Sequence, residues 1–434
     1  MKCAFYEKEI TPPLGSDIPG YYANRFTTGV QDKLYAKAAV FSGDNQEIAA
    51  ILTIDAVSVS ADFCRAVTDR VRQFTGIPAE KVAIIANHTH YGVPFGDVIS
   101  QRDPEFCALL ERLAADCITL AWQRLETCTL SYGIGHEDTV AFNRDFILKD
   151  GAIVTNASGH KENIVRAYGG IDPDLPVLTV KNSEGQVIGV LFTYALHQDT
   201  TGGMEYSGDY SSEISHALKE RFGHQMVSIY MPGCCGDINH IDVWNERRTH
   251  RQIGRILADE IARVMCEDSA AVACRTVATA YRVVPMVRRR ATPEQIEKAK
   301  WIMEDRANRT SKYDMTGQNA PLLLQYEEDF RDAPKTVDVP VQVFVIGDIW
   351  TMIFPFEVYH RYGLQIKQAC PNGKWLMSEL ANIEAGYVPI PELFDTDAYP
   401  VQLCHGSWLM PEAGDQLVES VSNLVSDLNN SLCR

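Results

Sequence analysis

The chain has 434 residues, enough to bury a large core, and its 46% apolar and 22% charged residues are ordinary for a folded globular protein. Lys and Arg number 40 against 57 acidic residues, a formal net charge of −17. That field repels nucleic acid and anionic membrane surfaces, so neither is expected as a principal partner.

In chain order, Ile10-Thr-Pro-Pro-Leu-Gly15 is a proline-fixed opening loop. Tyr35 to Phe41 starts a strand, and Gly43-Asp-Asn-Gln46 turns it back into a second strand, Ile48 to Ile54, which ends at Asp55. Helical spacing of Phe63, Val67 and Val71 marks a helix from Ala61 to Phe74. The β-branched run beginning at Val82 is a buried strand that stops at Asn87-His88-Thr-His90, before Gly92 and Pro94 open a loop to Phe95. Glu105 to Leu125 is a long amphipathic helix and Thr127 to Ile134 a strand. Gly189 to Leu196 is another apolar run, ending in His197. After a helix from Ser211 to Phe222, Met226 to Met231 runs into Pro232-Gly-Cys-Cys-Gly-Asp-Ile-Asn-His240. A further helix covers Arg248 to Met265. Thr292 caps a helix that reaches about Arg306, with Pro293 in its first position. The charged and polar region around 285–335 is expected to be a helical insertion or lid. Val341–Ile346 and Trp350–Phe354 make a hairpin about Gly347-Asp348, leading to Glu357. A helix from Glu412 to Leu428 ends the reading. Neither an internal repeat nor a linker divides the chain, so one domain spanning 1–434 is expected.

Several of these strands stop in a His, Asp or Glu, and in α/β sheets ligands collect at the carboxyl ends of strands. His88 and His90, two apart, fall on one side if extended geometry persists, and two imidazoles on one face make half of a metal site. The fold class expected is α/β, a mixed twisted sheet flanked by helices, zinc-hydrolase-like, with the metal site at strand C-termini. The first residues lack the apolar core of a signal peptide, and no stretch of about 18 apolar residues appears. Twelve cysteines without a Cys-x-x-Cys pair read as reduced thiols in a cytoplasmic protein.

Ile10-Thr-Pro-Pro, Asp32-Lys-Leu-Tyr-Ala-Lys-Ala, Asn87-His-Thr-His, Asn143-Arg144, Gly208-Asp-Tyr210, Gly236-Asp-Ile and Ala385-Gly-Tyr-Val are short motifs spread over most of the chain. In their order and positions the chain resembles the neutral ceramidase family, zinc-dependent amidases that cleave the N-acyl bond of ceramide. The resemblance implies a zinc ion (Zn2+) held by His88, His197, Glu357 and a tyrosine, Tyr387, with Glu384 three residues before it as the alternative. It implies His90 beside the metal and Arg144 at the substrate's polar head, on a mixed sheet related to that of zinc exopeptidases. The family's loop Gly-Asp-Val-Ser-Pro-Asn carries its nucleophilic serine, where this chain has Asn239. The family's additional β-sandwich domain is also not expected here.

Both departures argue for a small soluble substrate in place of a membrane lipid. The function expected is hydrolysis of an amide by water activated on zinc. His90 or Asp237 would take the proton, and Arg144 or Asn239 would steady the oxyanion. A hydrolase of an ester, lactone or glycosidic bond, and a non-catalytic protein with a structural zinc, are the alternatives. Oligomeric state is not readable from the sequence.

Overall fold

Strands buried on both faces set the architecture. In this computed structural model, which describes residues 1–21, 24–94, 103–305, 308, 316–396 and 398–433, the first half of the chain supplies most of one large sheet. Its strands are β1 (Lys2–Glu9), β2 (Tyr35–Ser42), β3 (Ile48–Ile54), β4 (Val82–Ala86), β5 (Glu126–His136), β6 (Asp174–Asn182), β7 (Val187–Tyr194) and β8 (Val227–Pro232). They lie in the order β8-β7-β6-β5-β1-β2-β3-β4, with Ala270–Ala271 added against β5. The β3/β4 and β7/β8 pairs are parallel and the other pairs antiparallel.

Alternation along each strand divides its side chains between two cores. Leu52 of β3 and Ile84 of β4 pack under α1 (Ala61–Thr75) and α2 (Pro104–Gln123). Val190 and Phe192 of β7 pack under α3 (Asp209–Phe222) and α4 (His250–Arg263). The opposite faces of these strands, with Ile51, Ile85, Leu191, Ile229 and Met231, share one inner core. Apolar residues on both faces are why these strands read as unbroken apolar runs. A shared core between distant strands also means that the sheet curls, bringing the edge strands β4 and β8 into one region.

A second sheet fills the curl. Its strands β9 (Val277–Val287), β10 (Thr336–Ile346), β11 (Ile349–Ile353) and β12 (Trp375–Ser378) lie in that order. Phe344, Ile353 and Leu376 join the inner core. The outer face is covered by α5 (Pro293–Glu304), α6 (Thr316–Asp329), α7 (His360–Ile366) and α8 (Ala413–Leu432). The β10/β11 hairpin turns at Gly347, whose φ of +70° suits glycine.

One short segment then bridges both edges of the large sheet. Glu379 donates its N–H to the Pro232 carbonyl at the end of β8 (2.9 Å). On the other side, Ala86 donates to the Leu380 carbonyl (3.1 Å) and Asn382 to that of Ile84 (2.7 Å). Leu380 and Asn382 reach these positions at φ +58° and +68°. Backbone groups that an edge strand would leave open are satisfied there.

The mixed α/β architecture is as expected, with eight α-helices among the described residues. Helix α6 was not expected, because Pro321 and the polar residues around it hide a helical spacing. Together α5 and α6 form an insertion between β9 and β10, and Ala299, Ile302, Leu323 and Tyr326 anchor it in the outer core. Residues 306–307 and 309–315 of the expected insertion, and Phe95 of the His88 loop, lie outside the described residues.

The expectation of reduced thiols is corrected. Cys3 and Cys128 form a disulfide across β1 and β5, with Cα atoms 5.9 Å apart and 125 residues between them. Adjacent antiparallel strands, with Cys3 opposite Glu126, create the pairing, and scattered cysteines give no sign of it. Thiol usage therefore no longer supports a cytoplasmic location. Among the described residues, no helix is long and apolar enough to cross a membrane.

Candidate metal centre

The loops that follow β4 and β7 are braced against each other. Asn87 donates to Asp55 Oδ1 (2.6 Å) and to Ser211 Oγ (3.2 Å). Gln198 donates its side-chain amide to the Asn87 carbonyl, and His90 donates its backbone N–H to that of Gln198 (3.1 Å). His88 and His197 are thereby brought face to face, both almost fully buried.

Strand geometry does not do this, which corrects the extended His-Thr-His reading. The strand ends at Ala86, and His88 adopts a left-handed φ of +75°. Such backbone costs on the order of 1 kcal/mol or more for a residue other than glycine and persists where its surroundings enforce it. The His88 and His90 rings still meet, with centroids 5.0 Å apart.

Hydrogen bonds fix the tautomer of each ring. His88 Nδ1 faces the Val57 carbonyl (2.8 Å), His90 Nδ1 that of Gly20 (2.9 Å), and His197 Nδ1 that of Cys235 (3.3 Å). A carbonyl can only accept, so each Nδ1 carries the proton and each Nε2 presents a lone pair. His88 Nε2 and His197 Nε2 lie 2.9 Å apart. Glu357 Oε2 is 3.4 Å from the first and 3.5 Å from the second. His90 Nε2 and Glu357 Oε2 are buried without a hydrogen-bond partner. The nitrogens of His88, His90 and His197 come within 4.8 Å of one another. Converging lone pairs of this kind could hold a metal ion.

Burial lowers the pKa of His197 far below the usual imidazole value and that of His90 to about 4, which keeps both neutral. Burial acts the other way on Glu357, but His88, Arg144 and Tyr387 together hold its carboxyl below the ordinary value.

Glu357 and Tyr387 are set side by side by a short parallel pairing of Glu357–Val358 with Tyr387–Val388. Glu357 thus lies in a strand and does not cap α7, whose N-cap is Tyr359. Close backbone approach fixes the neighbouring loop: a Cβ on Gly236 would fall 2.6 Å from the Glu357 carbonyl oxygen. Beside the cluster lies a cavity of about 140 Å³ bordered by His88, His90, Glu357 and Tyr387, with Tyr21, Leu322 and Tyr399 among its other walls.

No protein-family model matches the chain, and no curated protein does. Solved structures do match. The crystal structure of neutral ceramidase from Pseudomonas aeruginosa aligns over 99% of this chain and 74% of its own, at a TM-score of 0.76 and 16% identity. This chain has the neutral ceramidase fold. A ceramidase complexed with C2 gives a TM-score of 0.73 at 14% identity, over 99% of this chain and 75% of that one.

On this ceramidase fold the expected site residues fall into two groups. His88, His90, His197, Glu357 and Tyr387 are brought together. Arg144 stands behind them: buried, it donates from Nη2 to the Gly236 carbonyl (2.5 Å), and its guanidinium lies 5.4 Å from the Tyr387 ring centre. It is not among the residues bordering the cavity.

Asp237 and Asn239 are committed elsewhere. Asp237 accepts from His360 N (2.8 Å), His360 Nδ1 (2.6 Å) and Asn143 Nδ2 (2.8 Å). Asn239 donates to Asn156 Oδ1 (2.8 Å) and accepts from Ile241 N (2.9 Å). Glu384 borders the cavity from an exposed position and accepts from Ser58 Oγ (3.1 Å). His405 also borders it, whereas His240 lines a different cavity.

Tyr21 and Glu379 are absent from the sequence reading. Glu379 carried the signal used for its neighbours, since it follows directly on the apolar strand β12.

Proposed function

We propose that the protein is a zinc-dependent hydrolase that cleaves an amide (N-acyl) bond of a small substrate with water as the nucleophile. The observation that carries this reading is the set of tautomer-fixed Nε2 lone pairs converging with Glu357 Oε2 at the edge of a cavity. His88, His197, Glu357 and Tyr387 would hold the ion, in a site related to those of zinc hydrolases. Zinc held there would lower the pKa of a coordinated water to about 7 and polarise a carbonyl.

The chain's own groups have the following parts. His90, with its proton at Nδ1, keeps Nε2 free to accept a proton from water at the cavity edge. In the absence of an ion, burial and the adjacent Glu357 raise the pKa of the Tyr387 phenol well above the ordinary value. Arg144 balances that carboxylate and holds the phenol in place; its charge persists despite burial because Tyr387 and Glu357 adjoin it. Asn239 cannot serve as an alcohol nucleophile, which leaves the attack to water. The Asp237–His360 pair would fix the loop that carries Asn239.

Two features favour catalysis over a structural ion. A structural site is closed by protein ligands, whereas this cluster opens on a cavity. The cavity, about 140 Å³, is comparable to one that holds a benzene-sized group, about 150 Å³.

Metal analysis before and after chelation, coupled to a panel of amides, esters and glycosides, tests the proposal. About one zinc per chain with chelator-sensitive amide cleavage is expected, both abolished in His88→Ala. Zinc retained in a His88→Ala, His197→Ala double variant would overturn the assignment.

A further inference from the structure

Glu379 is fully buried, carries no assigned role and is not among the residues bordering the cavity beside the cluster. Its carboxylate nevertheless receives three donors from two other segments. Oε1 accepts from Cys235 N (3.1 Å) and from Cys235 Sγ (3.0 Å). Oε2 accepts from Val358 N (2.7 Å). Each donor residue adjoins the histidine and glutamate cluster. The Cys235 carbonyl is the acceptor that sets the His197 tautomer, and Val358 directly follows Glu357.

A third connection comes from the backbone. Glu379 opens the segment that bridges β8 to β4, and β4 delivers His88 and His90. The chain segments that supply the cluster come from separate parts of the sequence: Glu379 is bonded to the Glu357 segment through Val358 N, reaches His197 through Cys235, and its own segment pairs with β4.

We propose that Glu379 is a positioning residue for the metal centre, acting through Cys235 and Val358 to hold His197 and Glu357 at the spacing that captures the ion. The inference rests on the zinc reading above. A carboxyl group suits the task because each of its two oxygens accepts a backbone N–H. The amide of a glutamine would offer one acceptor and one donor, and the donor would face a backbone N–H on one side or the other.

The test is zinc affinity, measured on the full chain by competition with a chromogenic chelator at a temperature where every variant is folded. Glu379→Gln preserves volume and is expected to weaken zinc binding about tenfold or more, the range found when the partners of metal ligands are altered. Leu424→Ala, on the buried face of α8, serves as the control for destabilisation alone and should leave zinc affinity within about twofold of the original.

Unchanged zinc affinity in Glu379→Gln, with binding lost in His88→Ala, overturns the role of Glu379 and leaves the metal reading standing. An equal loss in Glu379→Gln and Leu424→Ala makes the carboxylate merely structural and overturns it too. Absence of zinc binding by the unaltered chain overturns both at once.

Discussion

At the scale of single residues, function depends on which nitrogen of a histidine is protonated. Three backbone carbonyls decide this in the cluster of His88, His90 and His197, and the sequence gives no hint of any of them. His240 is the contrasting case. Burial holds its pKa at about 4, and neither ring nitrogen has a hydrogen-bond partner. The unfolded chain, with an imidazole near the ordinary 6.5, binds the proton more readily. The stability His240 confers is thus complete above about pH 6.5 and is lost as pH falls toward 4. Asp55 and Asp145, both raised to about 6 by burial, act in the opposite sense: their contribution is greatest below the unfolded carboxylate pKa and fades as pH rises through 6. Denaturant unfolding of His240→Phe across pH 4 to 7 should show a shallower acid loss than the original chain. The difference is at most about 3 kcal/mol, and identical slopes would contradict the account.

Among elements, the short Glu357/Tyr387 pairing and the loop after β8 matter most. Their contact is backbone on backbone, so a single methyl group disrupts it. Gly236→Ala should destabilise the fold by roughly 1–3 kcal/mol and lower zinc content, read by thermal unfolding and metal analysis on the same sample. The α5–α6 insertion is the second functional element. We read it as a wall or lid of the substrate cavity, since Leu322 of α6 reaches that cavity. Leu322→Trp should therefore raise KM by about tenfold or more, about 1.4 kcal/mol, with zinc content unchanged. An unaltered KM would remove α6 from substrate binding. Amphipathic spacing made α1, α2 and α8 legible in advance. It failed for α6, whose burial depends on docking to the second sheet.

Across the whole molecule, the curled sheet accounts for the position of the site. Strands β4 and β8 are opposite edges in hydrogen-bonding order, yet their C-terminal loops lie together because the sheet folds around a common core and residues 379–382 bridge its edges. The Cys3–Cys128 bond ties β1 to β5 near the middle of the same sheet. Thiol titration in denaturant without reductant should find ten of the twelve cysteines reactive, and all twelve after reduction. Twelve without reductant would remove the bond.

The sequence by itself determined the local facts: which runs are strands buried on both faces, which helices have an apolar stripe, and that several strands end in His, Asp or Glu. Those follow from periodicity and from the abrupt change between apolar and polar residues. Tertiary structure alone decided which strand ends meet. Asp237 and Glu379 look alike in sequence, each an acid just after a strand. Only the closure of the sheet assigns the first to His360 and the second to Cys235 and Val358, because His360 and Cys235 lie more than a hundred residues along the chain from the acids they meet.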